Sequence, residues 1–470
     1  MASVVVGLDL GTSGLKALAL DTDGGIVAET EADCTITSPH DTWAETDPAE
    51  WTGALERVLA DLVPHLRHHR VAAVGVDAQM HGVVLVDADG SPTRPAVLWP
   101  DRRAEDQTRS WRELPQQQRA RLANPITAGM AGPILAWLNE HEPEAIASAD
   151  HALQPKDYLR CALAGPAVTD RSDASATLLW DVVADDWAHD VLEAVGVPAD
   201  LLPPVEPSAA VIAQGITIPT LDQHDVAVVT GAGDTAAALL ACGGLRPGQV
   251  QVNLGTGAQV TIAVQDPHAD ANPVTNLFAD AEQGWYAMAA VQNAGLALDK
   301  ARGWLAMSWD ELFEGAVVSE PGAGGVSMLP FLSGERSAIA SPASTGVWAG
   351  LTTRTTREHL ARAAVEAVVF TLVRAVNLLD TTDPVVRLTG GGARQRLVPE
   401  LLADVLARPV EVITLRSPSA LGAALLAARG VDLTIPTERL ATATRIEPDT
   451  PGHLEEAFEL WDHRRPLADL

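Results

Sequence analysis

Two short segments of this 470-residue chain are near copies of one another. The first reads Gly7-Leu8-Asp9-Leu10-Gly11-Thr12-Ser13-Gly14 and follows the apolar run Val4-Val5-Val6. The second reads Val252-Asn253-Leu254-Gly255-Thr256-Gly257-Ala258 and follows Gln249-Val250-Gln251. Each is an apolar strand running into a tight Gly-Thr turn, and the two lie about half the chain apart. Glycine lets backbone N–H groups approach an anion with no Cβ in the way, and adjacent hydroxyls add donors, so turns of this kind suit phosphate oxygens. A repeat at this spacing predicts two like domains whose turns clamp one polyphosphate, as for a nucleotide held in a cleft. A chain this long is also more than one core can fill, and predicts about two to three domains.

The pattern around each turn extends the repeat. Apolar runs at 4–10, 16–21 and 26–30, with the turn Thr22-Asp23-Gly24-Gly25 before the third, predict an antiparallel meander. Asp47 as N-cap and Pro48 in the first turn predict a helix to about residue 62, and 71–77 reads as a buried strand. Strand-strand-strand-helix-strand is the order of a ribonuclease-H-like unit. The second half offers strands at 249–254, 259–264 and 285–289, a long helix at 357–380, and a strand at 384–389 that ends in Gly390-Gly391-Gly392. An alanine-rich helix follows at 419–429, containing Ala420-Leu421-Gly422-Ala423-Ala424. Segments 198–207 and 320–325 read as surface loops. The expected fold is α/β, two ribonuclease-H-like domains of the actin/hexokinase type with a cleft between them. The boundary falls near residues 242–247, giving domains 1–243 and 244–470.

Composition narrows the function. A formal net charge of −30 disfavours nucleic acid and anionic membranes as partners, since both call for a basic surface. The only lysines are Lys16, Lys156 and Lys300, which fits a GC-rich genome or, as the alternative, a salt-adapted host. No apolar run approaches the ~20 residues of a membrane helix, and the N-terminus does not read as a signal peptide, so a cytoplasmic location is expected. Cys34, Cys161 and Cys242 lack metal-site spacing and read as buried free thiols. Both common nucleotide-loop classes fail. There is no G-x-x-x-x-G-K-[ST], and Gly231-Ala232-Gly233-Asp234-Thr235-Ala236 lacks the third glycine of G-x-G-x-x-G.

Several motifs, in order along the chain, resemble those of the FGGY carbohydrate kinases, and within them the xylulokinases. The segment from Gly7 to Lys16 is similar to the family's first phosphate motif, and Trp43-Ala44-Glu45-Thr46-Asp47-Pro48 to its W-x-E-x-D-P. Gln79-Met80-His81-Gly82 and Pro155-Lys156-Asp157-Tyr158-Leu159-Arg160 resemble xylulokinase segments. Gly231–Asp234 resembles the G-x-G-D loop, Gly334-Glu335-Arg336 a later signature, and residues 388–394 the adenosine motif.

The resemblance implies ATP-dependent phosphorylation of D-xylulose to D-xylulose 5-phosphate, with ATP and Mg²⁺ required. It implies Asp234 as general base, and Gln79, Met80, His81, Gly82, Asp101, Asp234 and Thr235 around the sugar. ATP would meet Gly11, Thr12, Ser13, Lys16, Gly255, Thr256, Gly257, Gly391, Gly392 and Ala393, with the metal near Asp9. Asn253 stands where Asp9 stands in the first loop, so one metal carboxylate per clamp is expected. Asp234 precedes a helix, whose N-terminus should lower its basicity. Trp99 reads as packing rather than a sugar platform. A homodimer is implied by the resemblance alone. The chain departs from the family at Pro100, Arg102, Ile134, Thr235, Gly257 and Ser337-Ala338. Pro100 and Thr235 bear on the sugar, so another ketose or a polyol is the alternative substrate. A conformational ATPase of the actin or chaperone kind is the alternative outside the family, and it has no need of a sugar-facing base.

Overall fold

Side-chain alternation in the first apolar run sets the frame. In β1 (Ala2–Leu10), Val4, Val6, Leu8 and Leu10 enter one core while Val5 enters another, so the strand is covered on both faces. The computed structural model describes residues 2–470 and is built on two seven-stranded sheets. The first contains β1, β2 (Gly14–Asp21), β3 (Ile26–Asp33), β4 (His69–Ala78), β5 (Val211–Ile218), β6 (Gln223–Val229) and β7 (Ala232–Gly233), in the order β5-β6-β4-β1-β2-β3 with β7 beside β4. Strands β1, β2 and β3 form the antiparallel meander, and β4 and β6 continue the sheet in parallel.

The second sheet contains β8 (Val250–Leu254), β9 (Ala258–Val264), β10 (Asn276–Ala279), β11 (Trp285–Val291), β12 (Val386–Thr389), β13 (Val410–Leu415) and β14 (Ala441–Ile446), ordered β10-β11-β9-β8-β12-β13-β14. Its centre repeats the first sheet: antiparallel β8, β9 and β11, then parallel β12 and β13. Strand β10 was not expected from the sequence, because four residues carry too short a period to read.

Helix α1 (Pro48–Leu66), with the Asp47 side chain accepting from the Ala49 N–H, buries Trp51, Leu55, Val58 and Leu62 on the Val4–Leu10 face. Helix α2 (Pro155–Leu163) buries Lys156, Asp157 and Arg160. Helix α3 (Asp234–Ala241) follows β7, α4 (Arg357–Val376) is buried along most of its length in the second core, and α5 (Pro418–Gly430) follows β13.

Helix α5 does not stay with the half of the chain that encodes it. It lies across β1 and β4 and against α3. A Cβ on Gly7 would sit 1.8 Å from the Ala420 carbonyl oxygen, one on Gly75 2.2 Å from that of Ala423, and one on Gly422 1.9 Å from that of Ala237. No real Cβ tolerates such distances, so these glycines are what let helix and sheet backbones touch. Among the described residues no helix is long and apolar enough to cross a membrane. Of the cysteines only Cys242 is buried. Cys34 and Cys161 are half-buried, which corrects the expectation of three buried thiols.

Candidate active site

Three neighbouring strands bring charged side chains into one row. Lys16 on β2 is the register partner of Asp9 on β1, and Asp9 is the partner of Asp77 on β4. Register partners project from the same face of a sheet. Two residues earlier on that face Gly7 is paired with Gly75, so Gly7-Leu8-Asp9 and Gly75-Val76-Asp77 repeat one device. The glycine admits α5 and the aspartate stands beyond the contact. Strand β7 pairs Ala232 with Asp77 and delivers Asp234 to the same place.

The second sheet builds the matching row from Gln259, Asn253 and Thr389, with the Asn253 Nδ2 donating to Gln259 Oε1 at 2.9 Å. That row is neutral where the first is charged. A cavity of about 60 Å³ runs from Asp234 and Thr235 to that neutral row, lined by Asn253, Gln259, Thr389 and Ser419 among others.

Burial raises the Asp9 carboxyl above its ordinary range, against the pull of a hydrogen bond with Asp77 and the charge of Lys16. Asp77 is fully buried, and burial and the charges of Asp9 and Asp234 hold it well above the carboxylate range. Apart from the Asp9 carboxyl, nothing hydrogen-bonds either Asp77 oxygen. The sequence pointed to Asp9 alone on this sheet, and a second carboxyl, Asp77, stands beside it.

Asp234 is not the N-cap of α3, a place taken by Gly233. Its Oδ1 accepts from the Thr235 N–H at 2.6 Å and the Thr235 hydroxyl at 3.2 Å. Burial, then the charge of Asp9, pushes Asp234 up to about 6 despite those bonds. The expectation of a weakened base is therefore corrected: desolvation outweighs the helix terminus. Thr235 is spent on Asp234.

Beneath this loop lies an ionic cluster. Lys156 is fully buried, with Nζ 2.5 Å from Asp157, 3.3 Å from Asp170 and 3.6 Å from Asp173. Burial opposes its charge, but the three carboxylates outweigh it and its pKa is raised. Asp170 accepts from the Ser172 and Ser208 hydroxyls, each at 2.7 Å, and Ser172 Oγ accepts the Gly233 N–H at 2.8 Å. The cluster thus grips the residue before Asp234.

His81, which follows the Met80 that meets Gly233, holds a positive φ of 73°. Its Nδ1 lies 2.8 Å from the Ala176 carbonyl oxygen, which only accepts, so Nδ1 carries the proton and Nε2 is a free acceptor. Burial, helped by the charge of Arg336, lowers its pKa to about 4. Met80 packs under Gly233, and Gly82 against Pro155 and Val97. Gln79 turns its Nε2 toward the Gly11 carbonyl at 3.4 Å, propping the first Gly-Thr turn. Asp101 is 1% exposed and fully engaged by the Ala44 N–H and by Arg103, so it does not line the open cleft. Trp99 does more than pack. Its indole N–H donates to Thr12 Oγ1 at 3.1 Å, and the Arg336 guanidinium lies 5.7 Å from its ring centre.

Gly255 and Thr256 are exposed at the second turn, closed by the Gly255 N–H to the Gly257 carbonyl at 2.8 Å. The Gly390–Gly392 turn lies against Leu254, and Ala393 is buried in the second core. Ser13 is exposed at the first turn. Sequence reasoning missed Asp77, Asp170, Ser172, Asp173 and the buried, unpartnered hydroxyl of Tyr286, which lies close enough to feel the charge of Asp234. Only Asp77 carried a signal, the repeated Gly-x-Asp at the ends of parallel strands.

Comparisons with known proteins point to one family. The family model of the FGGY family of carbohydrate kinases, N-terminal domain, matches residues 4–241, and that of the C-terminal domain residues 250–431. The chain is 31% identical over 464 residues to a xylulose kinase of Escherichia coli, covering 96% of this chain and 94% of that protein. It is 35% identical over 444 residues to a xylulose kinase of Streptomyces coelicolor, covering 90% and 87%. The solved structure of ligand-bound xylulose kinase from Lactobacillus acidophilus superposes with a TM-score of 0.92 at 23% identity, covering 99% of this chain and 98% of that one, a likeness of fold.

Proposed function

The chain belongs to the FGGY family of carbohydrate kinases and is an ATP-dependent sugar kinase, and we propose that its acceptor is D-xylulose, with Asp234 as general base and Mg²⁺ held near Asp9. The observation that carries the site assignment is the position of Asp234, beside the charged row of the first sheet and on the cavity that reaches the neutral row of the second.

In this reading the Asp234 carboxylate takes the proton of the sugar's terminal hydroxyl as its oxygen bonds to the γ-phosphorus and the bond to the ADP oxygen breaks. A base with a pKa of about 6 is mostly ionised at neutral pH, yet more basic than an ordinary carboxylate. The free His81 Nε2 accepts from a sugar hydroxyl. Met80 and Gly82 shape the wall, and Gln79 and Trp99 hold the Gly11–Ser13 turn that donates to phosphate, with Lys16 adding charge. Gly255, Thr256 and Gly257 face the same phosphates from the second sheet, and Gly391, Gly392 and Ala393 form the turn where adenosine would lie. The hard carboxylate oxygens of Asp9 fit Mg²⁺. Among the described residues no three or more His, Cys, Asp or Glu side chains form a cage, and Mg²⁺ commonly uses one or two carboxylates with waters and phosphates. Bound there, the cation would neutralise charge on the β- and γ-phosphates. Closure of the cleft would exclude water that otherwise competes with the sugar. Such an enzyme would work in the cytoplasm.

ADP release should be stimulated by D-xylulose above other ketoses and polyols in a coupled assay. Stimulation by ribulose or a pentitol without D-xylulose would keep the family and overturn the acceptor. Asp234→Ala should abolish phosphorylation while leaving nucleotide binding intact, and full activity in that variant would remove Asp234 from the role of base.

A further inference from the structure

We propose that Asp77 is a second carboxylate toward the divalent cation that accompanies the nucleotide, so that the cation is held by the Asp9–Asp77 pair and not by Asp9 alone. The inference rests on the reading that places the cation at Asp9.

Three observations carry it. Register places Asp77 beside Asp9 on the parallel neighbour β4, on one face. Asp77 is 0% exposed, and apart from the neighbouring Asp9 carboxyl nothing hydrogen-bonds either of its oxygens. Two buried carboxyls side by side cannot both ionise unless a positive charge answers them. Lys16 stands on the far side of Asp9 and Lys156 is engaged by Asp157, Asp170 and Asp173, so neither lysine answers Asp77. The pseudo-repeat supplies the third observation. Asn253 occupies the place of Asp9, Gln259 that of Lys16, and Thr389 that of Asp77. A strand end of this kind is filled by a small hydroxyl residue in the second sheet. The carboxylate in the first sheet is therefore no requirement of the fold. It adds a second carboxyl on the side that also carries Asp9, the arrangement suited to a hard cation shared by two carboxylates and the phosphates.

The test compares Asp77→Asn, Asp77→Ser and Asp9→Asn with the unaltered protein. Mn²⁺ serves as the probe, by electron paramagnetic resonance of the free ion with ADP present, and ADP affinity is measured separately in chelator. Loss of a cation ligand predicts opposite signs. Either Asp77 variant should weaken Mn²⁺ binding about tenfold or more, and should leave metal-free ADP binding unchanged or tighter, because a negative charge near the phosphates is gone. If both affinities fall together, Asp77 merely supports the site and the inference is overturned. It is equally overturned if Mn²⁺ binding holds in both Asp77 variants while Asp9→Asn loses it, and the reading at Asp9 then stands. If Asp9→Asn also keeps full Mn²⁺ affinity, the cation lies elsewhere and both fall. Asp77→Ser, which copies Thr389 in being small and hydroxylated, keeps the test open should the amide fail to fold.

Discussion

As the proposed base, Asp234 ties stability to activity at the level of one side chain. Its pKa in the folded protein is about 6, against roughly 3.9 when unfolded. The folded value is the higher one, so the native state holds an extra proton between these pH values. The stabilisation this brings is complete below about pH 4 and is lost as pH rises through about 6. At neutral pH the ionised carboxylate is therefore a cost, on the order of 3 kcal/mol. Asp234→Asn should raise the Tm of the ligand-free protein at pH 7, with little effect at pH 4, while abolishing turnover. Calorimetry at the two pH values checks the sign. In the unaltered enzyme kcat/KM for the sugar should fall about tenfold per pH unit below about 6, since the protonated acid cannot accept the substrate proton. His81, held near 4, stays neutral across that range and adds no second limb there. The place of Asp234, a carboxylate after a G-x-G turn, was legible in the residues. Its basicity was not, because burial and the charge of Asp9 are contributed by segments far away in the chain.

At the scale of elements, α2 inverts the usual arrangement by burying its charged face. Lys156, Asp157 and Arg160 are all 0% exposed. The reason is the turn above it. Gly231, at φ +87°, presses on Val76 and the Lys156 stem, and Gly233 donates to Ser172, which is bonded to the Asp170 that faces Lys156. The cluster sets the height of Asp234 from beneath its loop. Ser172→Ala should cost about 1–2 kcal/mol of stability. It should lower kcat more than it raises the sugar KM, since it loosens the base and leaves the His81 side in place. Lys156→Met strands buried carboxylates and should cost about 3–5 kcal/mol. Equal changes in kcat and KM for Ser172→Ala, measured by steady-state kinetics, would make the contact merely structural. The P-K-D-Y-L-R segment was visible as a motif, but its partners at 170, 172, 173 and 208 are joined to it only by folding.

At the scale of the molecule, two helices cross between the sheets. Helix α5, from the second half, covers β1 and β4, and α3, from the first half, lines the cavity against Gln251, Asn253 and Thr261 of the second sheet. The crossing point is Gly422 against the Ala237 carbonyl. Both partners there are backbone, so neither can swing aside. Gly422→Ala should destabilise by about 1–3 kcal/mol or more. It should also depress kcat more than nucleotide affinity, because domains forced apart at their contact cannot close on the substrates. Thermal melts with steady-state kinetics test both. Residues 1–243 produced alone should lack the cover for Gly7 and Gly75 and show exposed apolar surface by dye binding.

The sequence by itself determined what is local: two strand-and-turn repeats, the meanders, the capped helix at Pro48, the two Gly-Thr turns and the identity of the acid at 234. Periodicity and turn chemistry are written in neighbouring residues. Only the tertiary structure decided which strand ends lie abreast, and so brought Asp77 to Asp9. It likewise sent α5 across to the other sheet, and raised one carboxylate to a pKa of about 6. Register, helix crossing and desolvation all depend on groups remote in sequence, which no local pattern records.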